Sequence, residues 1–182
     1  MGTAAAATYW RRGKRMDDAI KIHPMVPEDW EDVRRIYLEG IDTGNATFQQ
    51  EAPSWTEWNE THITTCRLVA RSASAVLGWA ALSPTSGRCV YGGVAEVSIY
   101  VSQINRGKGI GSRLLNALIE ESEQNGFWTL QAGIFPENSA SLKLHKAFRF
   151  RAVGRRERIG KMNGMWRDII LLERRSHVVG MD

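Results

Sequence analysis

The run Arg106-Gly107-Lys108-Gly109-Ile110-Gly111-Ser112 carries the plainest chemistry in this chain. Glycines at alternate positions let backbone approach a ligand closely and aim successive N–H groups into one concavity. An apolar stripe follows at once (Ile110, Leu114, Leu115, Leu118, Ile119), so the glycines stand at the start of an amphipathic helix. The helix dipole adds positive potential there, and the combination suits a pyrophosphate. Two common phosphate loops do not fit. The dinucleotide fingerprint needs G-x-G-x-x-G after the first strand, whereas this run has another spacing and follows the fourth. A P-loop must close on Gly-Lys-Ser/Thr, and none closes this turn. Cys66 and Cys89 are too few for a disulfide framework, and the four histidines form no HxH or HExxH, so no metal is expected. Glu96, between Ala95 and Val97, is on position alone an ordinary strand carboxylate.

The elements that must position these groups belong to a chain of 182 residues, 43% apolar and 24% charged, enough to build a real core. No apolar run reaches the roughly 18 residues of a membrane span. Arg11, Arg12, Lys14 and Arg15 precede no hydrophobic stretch, so no secretory signal is read there. A soluble, cytoplasmic protein with no membrane partner is expected. Between Arg149 and Arg175 nine Lys/Arg face three Asp/Glu, which favours an anionic partner or else marks a solvated strand face. The tryptophans are scattered and not interleaved with that basic stretch, which argues against nucleic acid.

Residues 1–18 lack apolar periodicity and are read as a disordered leader, with Met16 as an alternative start; 19–175 form one domain and 176–182 a tail. Strands are predicted at Ile20–Met25, Arg67–Arg71, Ala75–Leu82, Val94–Ser102, Phe127–Phe135, Phe150–Arg158 and Trp166–Glu173. Helices are predicted at Glu28–Glu39, from the Ser54/Glu57 capping box towards Thr65, from Ile110 to Gly126, and at Asn138–Ala147. Gly40–Gln50 reads as loop, and Asn163–Gly164 as the turn between the last two strands. The order implies an α/β mixed sheet flanked by helices with one β-α-β crossover.

The spacing R-x-x-G-x-G at Arg106, Gly109 and Gly111 resembles the acetyl-CoA pyrophosphate loop of the GNAT superfamily of N-acetyltransferases. The resemblance extends from about Ile20 to Leu172, through Ala95–Val101 before the loop and Asn138–His145 after it. Within the superfamily the chain is most similar to phosphinothricin and methionine sulfone/sulfoximine N-acetyltransferases. Thr43-Gly44-Asn45-Ala46-Thr47-Phe48, Gly78-Trp79-Ala80, Arg88, Tyr91, Glu96 and Gly164-Met165-Trp166-Arg167-Asp168 carry that narrower likeness. It departs from the family at Phe148-Arg149-Phe150, where a glycine is usual, and at Arg71, where an acid is common. The first would alter a turn, and the second would be felt at the surface.

The resemblance implies a GNAT fold with a mostly antiparallel central sheet, and acetyl transfer from acetyl-CoA to the amine of a small amino acid or analogue, with protein or peptide N-acetylation and a non-catalytic CoA-binding module as the alternatives. It assigns Glu96 as general base, acting directly or through water. Backbone N–H groups near Ile99–Val101 would stabilise the oxyanion. Arg106, Gly107, Lys108, Gly109, Ile110, Gly111 and Ser112 would hold the pyrophosphate. Asn138 and Ser141 would flank the pantetheine arm, Asn138 also serving as a helix N-cap. For the proton needed by the leaving thiolate, both His145 and Tyr100 are candidates. Phe48, Arg88 and Tyr91 would bind the acceptor with Glu96, Arg88 holding its anionic end. A homodimer is expected, with Trp166 covered either by a partner or by its own core.

Overall fold

A computed structural model describes residues 20–73 and 75–181; the leader expected over 1–18 and Met16 lie outside the described residues. Seven strands form one sheet in the order β1-β2-β3-β4-β5-β7-β6. They are β1 (Ile20–Pro24), β2 (Leu68–Ser72), β3 (Ala75–Pro84), β4 (Val94–Val101), β5 (Thr129–Ile134), β6 (Arg151–Met162) and β7 (Met165–Arg175). All neighbours run antiparallel except β4 and β5. Four helices cover the sheet: α1 (Trp30–Ile41), α2 (Trp55–Thr61), α3 (Ile110–Gln124) and α4 (Ser139–Ala147). The expected mixed sheet with a single parallel crossover, β4-α3-β5, is what forms.

The helices form where apolar spacing gives them a face to bury. On α3, Leu114, Leu115 and Leu118 are fully buried against Ala80, Leu82 and Leu130, each contributing on the order of 2 kcal/mol. Trp30, Val33 and Ile36 of α1 join Trp58, Trp79 and Val76 in a second, aromatic-rich core. The Ser54 side chain accepts from Glu57 N, and the Glu57 carboxylate accepts from Ser54 N at 2.8 Å, as the capping box requires. That helix ends at Thr61, four residues short of the expectation, because His62 turns extended and its ring stacks on Trp58 at 4.1 Å.

Three expectations are revised. β6 and β7 run longer than predicted, because Asn163 and Gly164 both adopt positive φ (48° and 80°) and make a two-residue hairpin turn that extends the ladder to its tip. Arg149 takes φ 66° in the place where a family glycine is usual, so the turn after α4 is kept with a side chain on it. Arg71 is no mere surface difference: it ion-pairs with Asp29, a carboxylate 3% exposed, and so joins β2 to the start of α1. The tail also folds back, with Ser176 buried and its hydroxyl donating to Glu123 at 3.0 Å.

Candidate active site

The parallel pairing of β4 with β5 covers three rungs only: Val94–Thr129, Ala95–Leu130 and Glu96–Gln131. Beyond Glu96 the strands part, and β4 continues through Val97–Val101 with a ladder on its β3 side alone. A fork therefore opens in the sheet with Glu96 at its vertex. Backbone groups along one arm are left for a ligand, since unpaired strand N–H and C=O groups seek partners. The fork leads into a cleft of about 890 Å³, whose walls include Ile99, Val101, Phe135, Asn138 and Leu144. That size lies within the usual range for small-molecule sites.

At the open end of the fork stands the N-terminus of α3. Gly107 and Gly109 have φ of 75° and 77°, a region that favours glycine, and no side chain caps the helix there. The first-turn N–H groups of Ile110, Gly111 and Ser112 thus lack helical partners and face the cleft with Arg106, Gly107 and Gly109. This uncapped turn of a fifteen-residue helix fits a pyrophosphate by both N–H geometry and dipole. The Lys108 ammonium donates to the buried Asn105 at 3.0 Å, which braces the loop. Arg106 remains as the loop's cation at the cleft, with its Nε 3.3 Å from Val101 O.

The vertex of the fork is built around Glu96. Its Oε1 lies 3.8 Å from where a Cβ would sit on Gly133, and Ile169 Cδ1 lies 2.9 Å from the same point. A side chain at Gly133 would displace the end of Ile169 and come into ordinary contact with the carboxylate. The Glu96 carboxylate opens to the cleft yet is recessed enough that desolvation pushes its pKa up, an effect partly offset by the charge of Arg156. Phe48 walls the cleft, edge-on to Phe135 at 4.8 Å and packed over Gly160. The loop that bears Phe48 is tied down from two sides. Asn138 Nδ2 donates to Asn45 O at 3.0 Å, and Arg167 donates to Gly44 O at 3.1 Å and to Asn45 Oδ1 at 2.9 Å.

Asn138 is the N-cap of α4, its Oδ1 accepting from Ser141 N at 3.1 Å. With its amide also on Asn45, its side chain serves the cap and the loop, and Ser141 lines the cleft beside it.

Both acid candidates line the cleft. His145 is fully buried, with Nδ1 2.9 Å from Ser141 O. A carbonyl can only accept, so Nδ1 carries the hydrogen and Nε2, buried without a partner, is a bare acceptor in the neutral ring. Burial lowers its pKa and keeps it neutral. Tyr100 stacks on Trp79 at 4.7 Å and meets Tyr37 edge-on at 4.9 Å. Desolvation raises its pKa far above the phenol range, so its O–H is retained and a phenolate there is costly.

Arg88 and Tyr91 are not brought to the cleft. They sit exposed on the β3–β4 connection, the Arg88 guanidinium 5.6 Å from the Tyr91 ring centre. Sequence reasoning missed Tyr37, Gly133, Ile169 and Arg167 as site residues. Of these, Tyr37 stands at helical spacing from Trp30, Val33 and Ile36, Arg167 stood only within the 164–168 likeness, and nothing local marks Gly133 or Ile169.

A family model described as "Acetyltransferase (GNAT) family" matches residues 28–150. A phosphinothricin N-acetyltransferase of Streptomyces coelicolor is 31% identical over 163 residues, covering 85% of this chain and 95% of that one. An L-methionine sulfoximine/L-methionine sulfone acetyltransferase of Pseudomonas paraeruginosa is 36% identical over 107 residues, which is 58% of this chain. The match spans 62% of that relative's length, less than two thirds. Among solved structures, a phosphinothricin acetyltransferase from Sinorhizobium meliloti in complex with AcCoA superposes with a TM-score of 0.79 at 29% identity, covering 90% of this chain and 92% of that one.

Proposed function

Because this chain belongs to the acetyltransferase (GNAT) family, we propose that it transfers an acetyl group from acetyl-CoA to the amine of a small amino acid or analogue. The observation that carries this reading is the fork: a carboxylate at its vertex, unladdered backbone along its arm and an anion cradle beyond. Acetyl-CoA supplies the thioester. Ile110–Ser112 and Arg106 hold its pyrophosphate, and Asn138 and Ser141 lie along the arm that connects the two ends. Backbone N–H groups at Ile99–Val101 orient the carbonyl and favour negative charge on its oxygen.

Glu96 takes the proton of the acceptor's ammonium group, directly or through a water in the open cleft. Its raised pKa makes it a stronger base than an exposed carboxylate, which suits that task. The thiolate's proton is best drawn from the attacking amine, which becomes acidic as its C–N bond forms. His145 Nε2, bare and facing no protein donor, is placed to accept a hydrogen bond, and Tyr100 shapes the wall. Phosphinothricin and methionine sulfone or sulfoximine are the acceptor types indicated by the relatives' names, and Phe48 offers the aromatic wall for such short side chains.

Two free thiols, Cys66 buried and Cys89 exposed, suit a reducing cytoplasm. No helix among the described residues is long and apolar enough to cross a membrane. Met165 and Trp166, 67% and 58% exposed at the hairpin tip, favour a homodimer that covers them, and sedimentation as a monomer at micromolar concentration would remove that part. The test of the activity is thiol release from acetyl-CoA with a panel of amines. Turnover of small amino acids above peptides and simple amines is expected. Preference for peptide N-termini would overturn the acceptor class, and no release with any amine would overturn the activity.

A further inference from the structure

Arg88, the expected anion anchor, stands outside the cleft, so the acceptor's negative group needs another partner. An α-amino acid carries its carboxylate one carbon from its amine. The cation that reads it must therefore lie beside the base. Arg156 on β6 meets that condition. It is the cross-strand partner of Ile169, and such partners project from the same face of a sheet. Ile169 and Glu96 converge on Gly133, which places all three side chains on one face at the vertex of the fork. The β6–β7 ladder is interrupted between Arg156 and Gly160, and a break of this kind re-aims the side chain next to it.

Two of the neighbouring cations are committed elsewhere. Arg155 pairs with Asp168 at 2.7 Å, and Arg167 is bound to the 43–48 loop. Arg156 is exposed and makes no ion pair within 4.0 Å among the described residues. Its charge nevertheless reaches the Glu96 carboxyl and draws its pKa down against burial.

We propose that Arg156 receives the α-carboxylate of the acceptor and so selects free amino acids over their amides and over peptide N-termini. The proposal rests on the amino-acid reading above and deepens it. Glu96 and Arg156 then form a pair of opposite charges matched to the ammonium and carboxylate of one zwitterion. A guanidinium can hold that carboxylate by two parallel N–H bonds, which a lysine cannot reproduce.

The experiment compares kcat/KM for L-methionine sulfone with that for its α-carboxamide, in wild type, Arg156→Gln and Arg156→Lys, with melting temperatures as a folding control. Wild type should prefer the acid by about tenfold or more, the worth of a charge-assisted hydrogen bond. Arg156→Gln should bring the acid-to-amide ratio near unity, mainly through KM, and Arg156→Lys should fall between. A wild type that prefers the acid, with the ratio unmoved by Arg156→Gln, would overturn the anchor and leave the amino-acid reading standing. A wild type with no preference, or one favouring the amide, would overturn both.

Discussion

Gly109 and Gly111 lie two residues apart, yet an added methyl group should be felt at the first and hardly at the second. At Gly109 no atom lies within 4 Å of the position a Cβ would take, so space is free, but φ is 77°. A side chain there forces the left-handed region at a cost of ~1–2 kcal/mol, or shifts the backbone out of it. At Gly111 the backbone is helical, and the Cβ would sit 3.3 Å from Leu144 Cδ2 and 3.8 Å from Val101 Cγ2. A methyl end can give by a few tenths of an ångström. Alanine also has a helix propensity better than glycine's by up to about 1 kcal/mol, which offsets that contact. Gly109→Ala should therefore lose ~1–2 kcal/mol in urea unfolding, while Gly111→Ala stays within about 0.5 kcal/mol of wild type. Calorimetry with CoA should show the same order, because a backbone shift at Gly109 turns the N–H groups away from the pyrophosphate. Gly111→Val is a different case, since its branch would press on both Leu144 and Val101. The reasoning fails if Gly109→Ala matches wild type in stability and CoA affinity, or if Gly111→Ala is the more damaged of the two.

Replacing Glu96 by Gln should lower turnover by about 100-fold or more while CoA still binds. In wild type kcat/KM should rise with pH along a limb above the usual carboxylate range, because burial favours the protonated acid and the base works only once deprotonated; a pH–rate profile of both proteins checks this. Stability should also depend on pH through His145, whose folded pKa is lowered by burial. A group of that kind contributes stability above its unfolded value of about 6.5 and loses it as the medium turns more acidic. Urea titrations at pH 8 and pH 5 should show that loss, smaller in His145→Phe. His62, lowered for the same reason, keeps part of the slope in the variant.

Where local chemistry determined structure, the sequence was readable. The alternation of Val97, Ile99 and Val101 marked β4, and the capping box at Ser54 and Glu57 marked α2. The glycines at 107 and 109 marked a turn whose φ values no other residue adopts as readily. The fork itself left no local sign, because where β4 and β5 part is decided by how the whole sheet twists and packs. Arg88 and Arg156 show the same limit from the side of charge. Both are exposed arginines, and only register placed Arg156 on the face of Glu96. Tyr100 was read as a candidate proton donor, with no sign in the sequence of its environment, a ring cluster assembled from α1 and β3.

The tethers on the 43–48 loop have a consequence for the order in which the protein is made. Asn138 lies 93 residues beyond Asn45, and Arg167 lies 122 beyond it. Contacts of such sequence separation close late, since a long stretch of chain must be ordered before they form. A ribosome delivers Phe48 early and Arg167 near the end, so this wall of the cleft waits unsupported through most of synthesis. The cleft is thus among the last parts to take shape, and a chain released before β7 would carry Glu96 and the anion cradle without the loop that completes them. Competence arrives with the final hairpin.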